Sequence, residues 1–544
     1  MVTYTESIKE YHLSKTINKM TYGKLSFRKV SVIDLGYNSL KLVHYIISPN
    51  KSYKKYYEKT IRVKLGEGLN KTGFLQAEAI DRTIESLKYF RDVINSESIE
   101  FTIPFATSAV REAENKKLFL KKVEEETGFK FKLLSANEEA AYSYLGALNS
   151  LCVSNCLFFD LGGGTMELVS SRDYRIRRVM SLPFGTLKLT QKFFSNNGKN
   201  KTTTSKKSKN IYNILGEHIM NQLPNSRELE INSESTVLIG VGGTLRTIAR
   251  YDQLIKEYPI TRLHNYKLDF RSVSTIKDHL SNMNKEELCK IDVIGANRAE
   301  TIKTGLYAIY FLMSKFGFKS IIVSTKGLRE GVLLNFLESC NLDNITDLDN
   351  YLLNSCYNKD KSNSSLAKKF LSNGIITKNE YTIINQSVLY MSKILTNDNI
   401  GQFYILLNEE IMNLDHHQHV ILALSVLAIN KPKIALELSE NYRNLLYYYY
   451  DKKKIKNIIE RISTFLRFLN FVKNNKLIIQ IKEFTKITNK LLMEIVIQGD
   501  KNKDIFSFPE ILFKEIISDF KSSFDLSIEY TLLIQDKKRS TYSK

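Results

Sequence analysis

Asp160-Leu-Gly-Gly-Gly-Thr-Met-Glu-Leu168 decides how the rest of the chain is read. Three consecutive glycines leave their backbone N–H groups open to phosphate oxygens, with no side chain in the way. A carboxylate stands before them and another after them, the donor pattern that holds a divalent cation directly or through water. Taken alone, the same triplet is equally a tight turn with no ligand. Two further loops shift that balance, Asp34-Leu-Gly-Tyr-Asn-Ser39 and Gly240-Val-Gly-Gly-Thr244. Each of the three follows an apolar run, Val30 to Ile33, Leu157 to Phe159 or Val237 to Ile239, and Phe101 to Phe105 and Ile321 to Val323 are runs of the same kind. Such short apolar runs between helix-length segments read as buried strands, and a loop type recurring at strand ends points to a duplicated α/β architecture.

Glycine usage marks where this region ends. Of 24 glycines, only Gly374, Gly401 and Gly499 follow Gly331, so the α/β region closes near residue 335. Beyond it the apolar spacing is helical to about residue 470. Lys476 to Ile481 and Leu491 to Ile497 then read as short strands, with a helix around Pro509 to Phe520. Residues 1–28 carry no motif and read as an extension. The polar, lysine-rich stretch 195–210 reads as a mobile surface loop.

The net charge is +21, from 79 Lys+Arg against 58 Asp+Glu, with most of the excess before residue 332. A field of that sign concentrates polyanions in general. No zinc-finger spacing or RNP-type aromatic signature accompanies it, so no dedicated nucleic-acid site is expected. The five cysteines are scattered and no CxxC pair occurs, which fits a reducing compartment. With no signal-peptide core and no apolar run of membrane-spanning length, the expected location is the cytoplasm.

Two further stretches carry chemistry. Thr107-Ser-Ala-Val-Arg-Glu-Ala-Glu-Asn115 follows a strand and enters a helix, which puts Arg111 in the first turn near a natural anion site, or makes it a structural arginine. In Ser135-Ala-Asn-Glu-Glu-Ala140 adjacent carboxylates at a strand-to-helix junction point in different directions. One can cap the helix while the other faces a cleft as general base for water, although a purely helix-stabilising acid pair reads the same way. Asp415-His-His-Gln-His419 lacks a second ligand group and reads as a surface or interface helix. Tyr447 to Tyr450, followed by lysines, reads mainly as packing.

Together these motifs resemble the exopolyphosphatase/guanosine pentaphosphate phosphohydrolase (Ppx/GppA) phosphatases of the actin-like superfamily. Val63 to Leu69, Ser181 to Gly185, Arg298-Ala-Glu300 and Gly327 to Gly331 fall in the family's order as well. The resemblance implies two actin-like (ribonuclease H-like) domains facing a cleft, residues 29–142 and 143–335. A degenerate, mostly helical HD-like domain follows at 336–470, then a small α/β piece at 471–544. It implies Glu139 as general base and Arg111 as the arginine that steadies the terminal phosphoryl group. Gly36, Asn38, Ser39, Gly162, Gly163, Gly164, Thr165, Gly242, Gly243 and Thr244 would bind phosphate. Asp160, Glu167 and Asp34 would hold Mg²⁺.

The implied activity is removal of terminal phosphate from inorganic polyphosphate. Guanosine pentaphosphate is the alternative substrate, and a non-hydrolysing sensor of nucleotide or polyphosphate the alternative function. A homodimer is left open. Tyr37 and Ala136 depart from the family's serine and glycine, and the stretch around Ile394 to Ile400 lacks the His-Asp pair of an HD site.

Overall fold

The computed structural model describes residues 28–48, 52–194, 205–338, 365–394, 403–404, 406–407, 414–475, 477–485, 488–498 and 509–535. The chain forms two compact units, Met1–Asp252 with Lys267–Asn354 and Gln253–Tyr266 with Ser355–Lys544.

In the first unit β1 (Arg28–Leu35), β2 (Leu40–Ile47) and β3 (Tyr53–Ile61) form an antiparallel meander, and β4 (Phe101–Ala106) and β5 (Lys132–Leu133) add in parallel on the other side of β1. The pattern then repeats. β6 (Cys156–Leu161), β7 (Met166–Arg172) and β8 (Arg175–Leu182) form a second meander. β9 (Val237–Val241) lies parallel to β6, and β10 (Tyr266–Asp269) and β11 (Ser320–Val323) complete the order β10-β11-β9-β6-β7-β8. All five strands expected from the sequence are present. β1 and β6 sit centrally and are covered on both faces, which is why they read as unbroken apolar runs rather than alternating ones.

Helices Ala77–Ser96 and Lys116–Thr127 cover one face of the first sheet through Ile84, Leu87, Phe90, Phe119 and Val123. The other face packs Val32, Val43 and Tyr45 against Tyr142 and Leu333. Tyr142 belongs to helix Ala136–Leu151, whose Ala140, Tyr144 and Leu148 pack on Phe158 and Val169 of the second sheet. This one buried helix therefore serves both sheets, and the boundary expected at 142/143 falls inside it. Helix Leu328–Glu338 crosses it at glycine contacts: a Cβ on Gly331 would run into the Tyr142 carbonyl, and one on Gly146 into that of Gly327. Helix Ser205–Gln222 begins within the stretch read as a loop. Leu215 and Ile219, one turn apart, anchor it, and residues 195–204 lie outside the described ones.

The second unit is helical with a small sheet. β12 (Leu477–Thr485) pairs antiparallel with β13 (Lys490–Gln498), which pairs parallel with β14 (Ser527–Gln535), the last a strand the sequence reading did not anticipate. One hydrophobic cluster runs through Phe370, Phe465, Phe468, Phe513 and Phe520, so helices and sheet share a core across residue 470. Of the surface or interface helix expected there, the surface alternative is corrected: twelve residues of helix His416–Ala428 are buried. Its Val420–Ala428 stretch is apolar on every side except at Ser425, whose hydroxyl donates to the Ile421 carbonyl, the mark of an interior helix.

The three histidines are buried with it, and His416 and His419 are held by hydrogen bonds within the chain. His416 donates from Nε2 to the His264 carbonyl at 3.0 Å and accepts at Nδ1 from Tyr258. His419 Nδ1 takes Arg262 Nη2 at 2.7 Å, and burial keeps His416 and His419 neutral, at about 4 and about 3. Tyr448 is 75% exposed, whereas Tyr449 stacks on His417 at 3.8 Å. Residues 395–400, where the HD pair was sought, lie outside the described ones.

Candidate active site

The two meanders turn in the same way. Gly36 N donates to the Ser39 carbonyl at 3.1 Å between β1 and β2, and Gly162 N donates to that of Thr165 at 3.0 Å between β6 and β7. A third turn leaves β9, with Gly242 at φ +116° and helix Gly243–Ile255 starting directly after it. These turns meet at one open cleft with a volume of about 150 Å³. Of the expected residues, Asp34, Gly36, Asn38, Ser39, Glu139, Asp160, Gly162, Gly163, Thr165, Glu167, Gly242, Gly243 and Thr244 line it; Arg111 and Gly164 do not.

The Glu138–Glu139 pair divides its work. Glu138 closes a capping box with Ser135, each side chain taking the other's backbone N–H, and pairs with Lys132 at 2.7 Å. Burial opposes its charge, but the hydrogen bonds from Lys132 and Ser135 hold it below the usual carboxylate value. Glu139, one residue on, turns into the cleft with its side chain 11% exposed. Burial pushes its carboxyl up to about 7, against the pull of Arg111 and with added repulsion from Asp160 and Asp34. Arg111 donates from Nη1 to Glu139 Oε2 and to the Leu134 carbonyl, both at 2.9 Å. Its Nη1 is thus engaged behind Glu139, and Arg111 is not among the residues that line the cleft.

Cross-strand partners point to the same face of a sheet, so each hairpin presents a matched pair of side chains. In β1–β2 the pair is Asp34 and Lys41, 3.5 Å apart, with Arg329 3.9 Å from Asp34. In β6–β7 it is Asp160 and Glu167. Ser143 donates to Asp160 Oδ2 at 2.7 Å, and Ser181 donates to Glu167 Oε1 at 3.1 Å. Burial raises the Asp160 carboxyl. Glu167 is raised well above its ordinary value by burial and by repulsion from Glu139 and Asp160.

Among the described residues, no group of three or more His, Cys, Asp or Glu side chains is arranged to surround a metal. Magnesium in a phosphate site needs only one or two carboxylates, with water and phosphate supplying the rest. Asp160 and Glu167, acids whose mutual repulsion a cation would relieve, fit that requirement. Asp34, already flanked by Lys41 and Arg329, does not.

The sequence reading passed over the cleft's cations. Lys41 follows the first turn by two residues, Arg246 follows Thr244 by two, and Arg298 and Arg329 sit in motifs quoted only for their order. Asp34 supports the charge on Lys41, yet burial with Arg329 and Arg246 nearby lowers its pKa. A basic residue two places beyond the first and third glycine turns was the available signal. The departures at Tyr37 and Ala136 are also accommodated. The Tyr37 ring is buried in a slot where Cβ atoms on Gly66 and Gly164 would strike it, and the backbone turn around it is intact. Ala136 is simply the first residue of its helix.

Comparison with known proteins agrees with this geometry. The model of the Ppx/GppA phosphatase family matches residues 50–340, the region that carries most of the cleft. A bifunctional 3-dehydroquinate synthase/phosphatase of Fusobacterium nucleatum is 32% identical over 347 residues, 61% of this chain and 49% of that protein, so the chain spans about half of that relative's length. Exopolyphosphatase 1 of Mycobacterium tuberculosis is 23% identical over 313 residues, 57% of this chain and 89% of the relative. The crystal structure of an exopolyphosphatase-like protein, 24% identical, superposes with a TM-score of 0.50 over 57% of this chain and 98% of its own, a likeness of fold.

Proposed function

The chain belongs to the Ppx/GppA phosphatase family, and we propose on that premise that it hydrolyses the terminal phosphoanhydride of inorganic polyphosphate. The observation that carries this reading is Glu139, a buried carboxyl brought to about 7 and held by Arg111 beside the glycine turns. A base near neutrality takes a proton from water most effectively at neutral pH. The water oxygen bonds to the terminal phosphorus, the bridging P–O bond breaks, and its electron pair stays on the oxygen of the shortened chain. The proton of the attacking water passes to Glu139. Backbone N–H groups of the three turns, other than those of Gly36 and Gly162 that close the turns themselves, hold the phosphate oxygens in line.

Asp160 and Glu167 are the residues that would hold Mg²⁺, which when bound neutralises phosphate charge. Polyphosphate takes precedence over guanosine pentaphosphate because the similar proteins include an exopolyphosphatase and the cleft wall carries four cations. No helix among the described residues is long and apolar enough to cross a membrane, in keeping with a cytoplasmic setting.

The test is phosphate release by the purified full chain from long polyphosphate and from guanosine pentaphosphate, with and without Mg²⁺. Release from polyphosphate that requires Mg²⁺ is the expected result. Release from the nucleotide alone would reassign the substrate, and release from neither would make the cleft a sensor site.

A further inference from the structure

Arg111 is bonded through Nη1 to Glu139 and lies outside the cleft lining, so a cation of the lining itself is better placed to meet the charge of the transferred phosphoryl group. We propose that Arg246 is that group, donating to the terminal phosphoryl oxygens of the bound substrate, and that Arg111 is a positioning residue acting only through Glu139. The inference rests on the hydrolytic reading of the cleft given above.

Four cations line the cleft, and two already have acids. Lys41 faces Asp34, and Arg329 pairs with Glu58 at 2.8 Å. Among the described residues, no hydrogen bond or ion pair joins Arg246 or Arg298 to a protein acceptor. Arg298 lies against the β9 turn, where a Cβ on Gly243 would overlap its guanidinium. Arg246 stands on the first turn of helix Gly243–Ile255, and its field reaches Asp160 and Lys41, one residue from each hairpin pair. Asp160 in turn is close enough to Glu139 to repel it.

Arg246 is thus a lining cation without a hydrogen-bonded acid, set within the field of Asp160. A guanidinium stays charged even when half-buried, and although Asp160, Glu58 and Glu330 lie within its field, leaving it there without a hydrogen-bonded acid is unfavourable. An incoming phosphoryl group removes that cost, and the planar fork matches two of its equatorial oxygens. Those oxygens carry the charge of the loose transition state as the bridging bond breaks and the water oxygen bonds to phosphorus, so the contact strengthens as the reaction proceeds.

The test compares Arg246→Gln, Arg246→Lys and Arg111→Lys in the full chain, with long polyphosphate and Mg²⁺. Arg246→Gln is expected to lower kcat by at least about a hundredfold with the acid limb of the pH profile unmoved. Its melting temperature without ligand stays the same or rises, because no protein contact is lost. Arg246→Lys, which keeps the charge, recovers part of the rate. Arg111→Lys shifts the acid limb, because Glu139 loses the hydrogen bond from Arg111 Nη1.

A second readout needs no turnover: inorganic phosphate should raise the melting temperature of the wild type and of Arg111→Lys but not of Arg246→Gln. A kcat for Arg246→Gln within threefold of wild type would overturn the assignment, and so would equal stabilisation of that variant by phosphate. If the wild type releases phosphate from neither substrate, the hydrolytic reading fails by itself, and the phosphate-induced shift still decides whether Arg246 is the anion contact.

Discussion

Replacing Glu139 by glutamine in the full chain separates what burial does to this carboxyl from what the carboxyl does to water. Its ordinary value is 4.5, and in the folded chain burial outweighs Arg111 and lifts it to about 7. A gap of that size corresponds to a preference of the fold for the neutral form on the order of 3 kcal/mol. Below pH 4.5 the group is protonated in both folded and unfolded chains, and the fold keeps the full benefit of the neutral form. As pH rises, the unfolded chain ionises first. The benefit then shrinks and is gone above the folded value.

Glutamine cannot ionise and still accepts a hydrogen bond from Arg111. The variant should therefore match the wild type in stability near pH 4.5 and exceed it by up to about 3 kcal/mol near pH 8. Urea unfolding of both proteins at closely spaced pH values measures the difference, to which Glu167 adds because the variant relieves it of the repulsion of Glu139. The same substitution should lower kcat by at least about a hundredfold, and the acid limb of the wild-type kcat/KM profile should lie near 7. A stability difference that stays flat with pH would refute the burial argument. A kcat within tenfold of wild type would refute the base.

Other substitutions probe the surroundings of that carboxyl. Glu138→Gln should cost about 1 kcal/mol of stability through the weakened cap and the lost Lys132 pair, with kcat reduced less than by Glu139→Gln, as steady-state kinetics and unfolding of the two variants will show. Gly242→Ala forces a side chain onto φ +116° with its Cβ 2.7 Å from the Leu161 carbonyl oxygen. It should lose about 1–3 kcal/mol in a thermal melt and raise the KM for polyphosphate. The Tyr37 hydroxyl is buried with no partner among the described residues, so Tyr37→Phe should unfold within about 1 kcal/mol of wild type and keep its kcat. A large fall in rate would show that the hydroxyl touches substrate.

The glycine turns were legible because a turn at the end of an apolar strand is a local event: Gly36, Gly162 and Gly242 need only their neighbours to bend the chain. The capping box at Ser135 was legible for the same reason, and it assigns Glu138 to the helix end without any knowledge of the second sheet. The interior helix His416–Ala428 was misread because attention went to its three histidines and not to the apolar residues that follow them. Strand β14 pairs with β13 across a helix, a contact no local pattern reports.

The amino-acid sequence by itself thus determined the duplicated strand-and-turn plan and the acids that flank its turns, since both are written in residues a few positions apart. Only the tertiary structure decided what those acids and cations face. Asp34 is answered by Lys41 while Asp160 is answered by Glu167, and Arg111 is consumed by Glu139 while Arg246 is left open to the cleft. The reason is that a long side chain's partner depends on which strands lie opposite and how much water the packing removes, and residues far apart in the chain set both.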